Sequence, residues 1–303
     1  MKVFIKRQIQ NILSRVPGGE RVNLWMQMNI TKGLPVSDDI LASKIEAGKI
    51  HLENYLKYNK ENNKNISGLS SFEFGAGYDL IVPYVFSFMK LSNIYCVDIK
   101  NKASAYLLND ALKRLPAMLS YHEVKKTGLY EITHKNLISD LKKNYNIHYM
   151  APMDAGNTNL RDESIDLVVS NATLEHIPKD SIKAILKESY RILKPGGILS
   201  HAIDYKDHWA YIDSNLSYYN FLKYSDQIWK YKNPSLNYQN RLRHRDYIDL
   251  FKSAGFQIKF ANPDNPTEKD KFTLRNLKIN DYFRSNYTFD ELSVLGCFFV
   301  LTK

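Results

Sequence analysis

The chain has 303 residues, 44% of them hydrophobic, and a formal net charge of +10; this is enough apolar material for a sizeable core and too little length for two large domains, so one domain with helical additions is expected. Its two cysteines, Cys96 and Cys297, both lie in apolar runs, which excludes a disulfide framework and zinc-type spacing and reads as buried, reduced thiols. Lys6 and Arg7 cut short the apolar run Val3-Phe4-Ile5, so neither a secretory leader nor a membrane span is expected there, and a cytoplasmic protein is.

The positive charge is thinly spread, and its only tight group is Arg241, Arg243, His244 and Arg245. From Ile5 onward, Ile9, Ile12, Leu13 and Val16 fall at helical spacing, with Lys6, Arg7 and Arg15 elsewhere on the wheel, until Pro17-Gly18-Gly19 stops the helix. Such a helix packs on the domain or on a second subunit, or lies on a membrane surface; packing is favoured. A second helical pattern over about 37–58 carries Ile40, Leu41, Ile45, Ile50, Leu52 and Tyr55, and leads into a polar, loop-like stretch over 59–68.

The most informative stretch follows, Ser71-Phe72-Glu73-Phe74-Gly75-Ala76-Gly77-Tyr78-Asp79-Leu80. It reads as a short strand, a glycine turn and the start of a helix carrying Ile81, Val82, Val85 and Phe86. Glycine at 75 and 77 lets the backbone turn tightly and lets a ligand approach its N–H groups. The next apolar strand, Ile94-Tyr95-Cys96-Val97, ends in Asp98, where a carboxylate can accept hydrogen bonds from both hydroxyls of a ribose. The dinucleotide pattern G-x-G-x-x-G fails, because Leu80 stands where the last glycine belongs, and this argues against NAD. Asp79 is read as the N-cap of the helix.

Residues 101–145, with Leu107, Leu108, Leu112, Leu115 and Met118, then Leu137, Ile138 and Leu141, suggest two or three helices that make a crossover and an insertion. A short strand, Ile147-His148-Tyr149-Met150, leads to Asp154-Ala155. After the turn Arg161-Asp162-Glu163-Ser164 comes the strand Ile165-Asp166-Leu167-Val168-Val169-Ser170, and then Asn171-Ala172-Thr173-Leu174-Glu175-His176-Ile177-Pro178. A helix with Ile182, Ile185, Leu186 and Tyr190 ends near Leu193-Lys194-Pro195-Gly196-Gly197, and a strand over 198–203 follows. Strand, helix and strand again, with turn signals between them, predict a parallel, doubly wound sheet.

In this order, E-F-G-A-G, V-D, M-D-A, S-I-D-L-V-V-S-N-A-T-L-E-H-I and R-I-L-K-P-G-G-I-L resemble the motif series of class I S-adenosylmethionine (SAM) dependent methyltransferases, over about 71–204. The resemblance implies an α/β fold with a doubly wound, mostly parallel, seven-stranded Rossmann-like sheet. It also implies a helical extension or lid over 1–66, and a methyltransferase domain over 67–303 with insertions at about 101–145 and 205–240. SAM is the implied cofactor: Gly75 and Gly77 admit its methionine and ribose portions, Glu73 balances the amino group or braces the loop, Asp98 holds the ribose, Asp154 with the Ala155 backbone reads the adenine edge, and Asn171 joins the site. Asp79 departs from the family loop, where a third glycine often stands.

Transfer of a methyl group to a hydroxyl requires a base within hydrogen-bond reach of it. His208, beside Trp209, is the first candidate, followed by His176 and Asp204; Glu175, Asp207 and His201 are close in sequence, with His201 expected to point into the fold. The set His201, Asp204 and His208 also has the donor types of a divalent-metal site, but its spacing is irregular and a metal-independent site is favoured.

Past Asp204, the aromatic stretch from about Tyr205 to Tyr238 is expected to form the acceptor pocket, since this connection sits at the carboxyl ends of the strands. Lys206 stands alone against Asp204, Asp207 and Asp213 near its start, a balance that repels a phosphate backbone and suits hydroxyl-rich ligands. Arg241, Arg243 and Arg245 are left to hold one phosphate, as on a sugar nucleotide or lipid-linked sugar. A helix over 245–254 and strands over 256–260 and 294–301 complete the domain, the last strand antiparallel by the resemblance. This ending is also similar to methyltransferases of bacterial cell-surface glycan pathways. The expected partner is therefore a small-molecule or glycan-like hydroxyl acceptor. Nucleic-acid methylation is the runner-up, disfavoured because Asn171-Ala172-Thr173-Leu174 is not an N-P-P-Y-type acceptor motif. A non-catalytic SAM-fold module is disfavoured by the intact Gly75, Gly77 and Asp98, while membrane contact through the first helix and a homodimer stay open.

Overall fold

The computed structural model describes residues 2–59, 65–119 and 128–303, without the side chains of Lys2 and Phe4. Seven strands form one sheet: β1 (Ser70–Phe74), β2 (Asn93–Val97), β3 (Ile147–Met150), β4 (Ile165–Asn171), β5 (Leu193–Asp204), β6 (Gln257–Asp264) and β7 (Gly296–Thr302), in the order β3-β2-β1-β4-β5-β7-β6. The pairs from β3 through β5 are parallel, and β7 runs antiparallel to both β5 and β6. This is the doubly wound, mostly parallel sheet that the motif series implies. Strand order reverses between β1 and β4, and the carboxyl ends of such a pair open a crevice for ligands.

Parallel strands covered on both faces need apolar residues on both faces, which is why β2 and the middle of β4, Leu167-Val168-Val169, read as near-continuous runs. Alternate side chains then go to opposite layers. Phe72, Phe74, Val168 and Leu199 pack under the helices α7 (Lys179–Ile192) and α9 (His244–Ser253), while Ile94, Leu167, Val169 and Ile198 pack on the other side. That second side is covered by α3 (Asp38–Tyr58), α4 (Ile81–Phe88), α5 (Ala105–Met118) and α6 (Leu137–Tyr145). All eight residues of α4 are buried, so this helix lies inside the protein. Each large apolar side chain taken fully out of water there contributes about 1.5–3 kcal/mol.

α3 begins where the Ser37 hydroxyl accepts the Ile40 N–H, with Asp38 and Asp39 in its first turn and Lys57 in its last, charges that suit the helix dipole. Its Leu41, Ile45, Leu52 and Tyr55 belong to the same core as α4. Gly48 lets the two helices approach, since a Cβ there would lie 3.1 Å from Val85.

The crossover region contains α5 and α6, and the part of that expectation over 120–127 falls outside the described residues. Other elements depart from the sequence reading. Pro17-Gly18-Gly19 ends α1 (Lys2–Leu13) but also starts α2 (Gly19–Asn29), with Gly18 in the left-handed region as N-cap. β5 starts at Leu193, before the glycines expected to precede it. The segment between β5 and β7 holds α8 (Asp226–Lys232), α10 (Glu268–Arg275), α11 (Asp281–Asn286) and α12 (Phe289–Ser293), besides α9. α10 and α12 open with reciprocal capping boxes, Thr267 with Asp270 and Thr288 with Glu291. Among the described residues, no helix is long and apolar enough to cross a membrane.

This segment has a small core of its own: Trp209, Tyr219, Phe221, Leu222 and Trp229 pack with Leu274, Phe283, Leu292 and Leu295. Val3 of α1 joins it, while Ile5 and Ile12 on the same helix remain exposed. α1 thus packs on the insertion by one side only.

Candidate active site

The turn between β1 and α4 is built for close approach. Gly75 has φ 74° and Gly77 φ 75°, a region where side chains are strained. A Cβ on Gly75 would lie 2.3 Å from Thr173, which seats the turn against the end of β4, whereas one on Gly77 would project into open space. The Gly75 N–H donates to Val97 O at 2.9 Å, tying the turn to β2. The expected N-cap is corrected: Leu80, at φ 47°, holds that position without a side-chain hydrogen bond. Asp79 is instead buried against Lys44 of α3, whose Nζ lies 2.9 and 2.7 Å from its two oxygens. α3 is thereby fastened to the glycine turn.

Two carboxylates with free oxygens face this turn. Asp98 Oδ1 accepts the Lys100 N–H at 3.1 Å; its buried Oδ2 has Lys102 Nζ at 3.5 Å and no hydrogen bond. Glu73 is buried with Oε2 unpartnered, and burial pushes its carboxyl up to about 8 against the pull of the Asn171 side chain and the Lys44 charge. Burying such oxygens without donors costs free energy that a donor-bearing ligand would recover. An ammonium near Glu73, ribose hydroxyls at Asp98 and a chain passing over the bare Gly77 are what SAM would bring, so the residues fit this cofactor.

The other cofactor candidates sit on the same edge of the sheet. Met153 N–H donates to Asp98 O at 2.9 Å, drawing the loop after β3 to the end of β2. Asp154 is exposed with Oδ1 accepting the Gly156 N–H at 2.8 Å, and Ala155 is buried. Asn171 Oδ1 accepts from His51 Nε2 at 3.0 Å, and its Nδ2 makes no hydrogen bond of ordinary geometry. His51 was not found by sequence reasoning. Its Nδ1 lies 2.8 Å from Ser200 Oγ, so a neutral ring on α3 bridges β4 and β5, with burial holding its pKa down at about 4. Its signal was only a histidine on the apolar face of a helix.

Next to this edge, the 3-10 turns after β4 (Leu174–His176) and β5 (His208–Tyr211) bring the catalytic candidates together. The His176 and His208 rings meet edge to face at 4.8 Å, and His208 Nε2 lies 3.2 Å from Asp204 Oδ2. Asp204 also accepts the Tyr211 hydroxyl at 2.6 Å and the Lys206 N–H at 3.0 Å. His176 Nδ1 faces Tyr238 O at 2.6 Å and must donate to it, which leaves Nε2 as an acceptor. Burial, reinforced by the His208 charge, holds the His176 pKa at about 4. Glu175 is 1% exposed and neither carboxylate oxygen has a well-formed hydrogen bond. Burial lifts its pKa well above the usual range, opposed by its own backbone N–H and reinforced by the Asp204 charge.

Two neighbours drop out. Asp207 is spent on the Trp209 N–H and the Asn220 amide, both at 2.9 Å. His201 points into the fold as expected: it is wholly buried, bonded to Ser170 Oγ at 2.9 Å and stacked on Phe251, so His201, Asp204 and His208 do not form one cluster.

Part of the aromatic stretch is spent inward, since Trp209, Tyr219, Phe221 and Trp229 belong to the small core, whereas Tyr211 stays exposed and meets the His208 ring at 5.5 Å. A cavity of about 500 Å³ lies at the ends of β4, β5 and β6, lined by Ala172, Asp204, Lys206, Asn262, Asp264 and Phe298 among others. The arginines are also engaged. Arg243 is fully buried and donates to the carbonyls of Tyr205, Leu292 and Val294 at 2.6–2.9 Å. Arg241 holds Phe221 O, Tyr224 O and Asp226, and Arg245 holds Glu291 and Asn286 O. Arg243, with no exposed surface, is not placed for the expected phosphate contact.

The sheet order with its antiparallel β7, the glycine turn and the carboxylate ending β2 define a class I methyltransferase arrangement. Residues 72–201 match the family model described as a methyltransferase domain. The protein is a SAM-dependent methyltransferase, and SAM is its cofactor. Similar folds occur in a SAM-dependent methyltransferase of Methanosarcina mazei (16% identity over 83% of this chain and 96% of that one, TM-score 0.44). The YcgJ protein of Bacillus subtilis gives 13%, 84%, 97% and 0.45. A geranyl diphosphate methyltransferase in complex with SAM gives 12%, 89%, 92% and 0.46. No curated protein matches the sequence.

Proposed function

We propose that the protein methylates a hydroxyl of a small-molecule or glycan-like acceptor. The observation that carries this reading is the group His208, Asp204 and His176 after β4 and β5, of which Asp204 lines the cavity. SAM, when bound, supplies an electrophilic methyl on a positively charged sulfur. The chain's part is mostly positioning, with the acceptor oxygen held roughly 3–3.5 Å from the methyl carbon. His208 is the residue toward which the hydroxyl's proton leaves; Asp204 stabilises the charge that His208 takes up, and His176 walls the site. Glu73, Gly75, Gly77, Asp98, Asp154, Ala155 and Asn171 hold the cofactor in the roles given above.

The cavity's wall supports a hydroxylated acceptor over a nucleic acid. Its cation, Lys206, is paired with Asp264 at 2.6 Å, and Asp204 adds a further acceptor. A groove for a phosphate backbone needs several unpaired cations, and its binding weakens steeply with salt.

Two variants test the reading. Asp98→Ala should weaken SAM, measured by calorimetry, by about 1–3 kcal/mol while the strand stays formed. His208→Ala should slow transfer to a hydroxylated sugar acceptor about 10²- to 10⁴-fold with SAM affinity nearly unchanged. Parent-like SAM binding in the first variant would displace the cofactor site. Methylation of RNA, with a steep salt dependence, would overturn the acceptor class.

A further inference from the structure

The sequence pointed to His201, Asp204 and His208 as potential ligands, and the fold separates them. It assembles another set instead: one donor atom each from Glu175, His176 and His208 lie within 4.8 Å of one another. We propose that these three side chains bind one divalent transition-metal ion at the edge of the acceptor cavity. The inference rests on the reading of this cluster as the place where the acceptor hydroxyl is activated. It revises one role, since with an ion bound His208 serves as a ligand rather than as a free base.

Four features support it. The carboxylate of Glu175 is buried and neither of its oxygens has a hydrogen bond of ordinary geometry among the described residues. The backbone N–H groups of Glu175 and Asp204 satisfy this carboxylate poorly, so its charged form is costly in the fold, and a cation is a direct remedy. His176 is oriented as ligating histidines are: Nδ1–H donates to the Tyr238 carbonyl at 2.6 Å, so the Nε2 lone pair is free and fixed in direction. His208 Nε2 is buried and lacks a hydrogen bond, although Asp204 Oδ2 is 3.2 Å away. Asp204, held by the Tyr211 hydroxyl and the Lys206 N–H, thus stands as a second carboxylate beside the His208 ring.

The donor set indicates the metal. Two imidazoles and a carboxylate suit Zn²⁺, Mn²⁺, Fe²⁺ or Co²⁺, whereas Mg²⁺ and Ca²⁺ prefer oxygen donors throughout. With bonds of about 2.0–2.2 Å, donors around such an ion sit about 3–4 Å apart, so the widest separation must contract by about 1 Å. His208 is half-buried on a 3-10 turn with no ordinary hydrogen bond at Nε2, and rotation of its ring can supply that movement while His176 stays held by Tyr238. Three protein ligands leave positions open, and an acceptor oxygen can fill one.

The test is a titration of full-length, EDTA-stripped and desalted protein with CoCl₂, followed by visible absorption. One ion per chain is expected, with displacement by ZnCl₂. Glu175→Gln and His208→Ala should each weaken Co²⁺ about a hundredfold or more, and Asp204→Asn about tenfold, as for loss of a negative charge beside the cation. Thermal melts and SAM calorimetry on the same samples establish that each variant is folded; if Glu175→Gln is not, His176→Ala replaces it. No stoichiometric Co²⁺ uptake by the parent, or uptake unchanged in folded variants, overturns the proposal. SAM binding by such a parent would leave the methyltransferase reading standing, whereas Co²⁺ uptake without SAM binding would separate the two in the other direction.

Discussion

The region from β1 to β5 and the region from β5 to β7 acquire order by different means. In the first, backbone does most of the work: parallel strands buried on both faces, glycines at 75 and 77 with φ near 75°, and strand ends that leave carboxylate oxygens open. In the second, side chains do it. A small aromatic core is knitted by Arg243, whose guanidinium reaches carbonyls before β7 and after β5. The first region leaves buried polar atoms unpaired at its strand ends, where a ligand could meet them, and the second spends its conspicuous residues inward. An aromatic-rich segment beside an active site is therefore not thereby a binding wall.

The largest effect expected on this contrast comes from acid, because it strikes the first region. His51 and His201 are neutral in the fold, with burial holding their pKa values at about 4 and about 3. Between pH 6.5 and those values the unfolded chain binds protons that the folded one does not, so stability falls as pH falls through this window. Each histidine should withdraw up to about 3 kcal/mol. Denaturant midpoints measured from pH 7 to 4 check this, and His51→Gln should flatten the slope by about one proton. Arg243→Met comes next, at about 3–5 kcal/mol, because three buried carbonyls lose their donor; a melting temperature close to the parent's would mean that the second core does not depend on it. Gly75→Ala should cost about 2–4 kcal/mol, from the left-handed backbone and the clash with Thr173. Gly77→Ala, with open space around it, should cost only about 1–2 kcal/mol. Equal losses in the two glycine variants would break the distinction between a turn seated on Thr173 and one left bare.

Much of the first region was legible because strand period, glycine turns and terminal acids are local signals, and they survive tertiary packing. Glu73, Gly75, Gly77, Asp98 and Asn171 all lie where the motif order puts them, at the strand ends. What was not legible depends on contacts distant in sequence. Lys44 and His51 reach the site from α3, and nothing near them in the chain marks this. Asp79 looked like a cap because nothing nearby revealed that Lys44 would claim it. The rings at Trp209, Phe221 and Trp229 are chemically equal to pocket residues, and only packing tells the difference. By contrast, α10 and α12 carried visible T-x-x-D and T-x-x-E capping signals at Thr267 and Thr288 that were available to be read.

The histidine bridge from α3 bears on how the chain becomes a working protein during synthesis. His51 and Ser200 are 149 residues apart, and His51 and Asn171 are 120 apart. Closing loops of that length is entropically costly, and long-range contacts slow folding. α3 leaves the ribosome early, yet the partners of its His51 do not exist until β4 and β5 have been made. Until then its apolar face, with Leu41, Ile45 and Leu52, has only α4 and its neighbours to lie against. The glycine turn therefore receives its full bracket late, and a nascent chain halted before Ser200 would carry most of the SAM motifs without a finished place for the ligand.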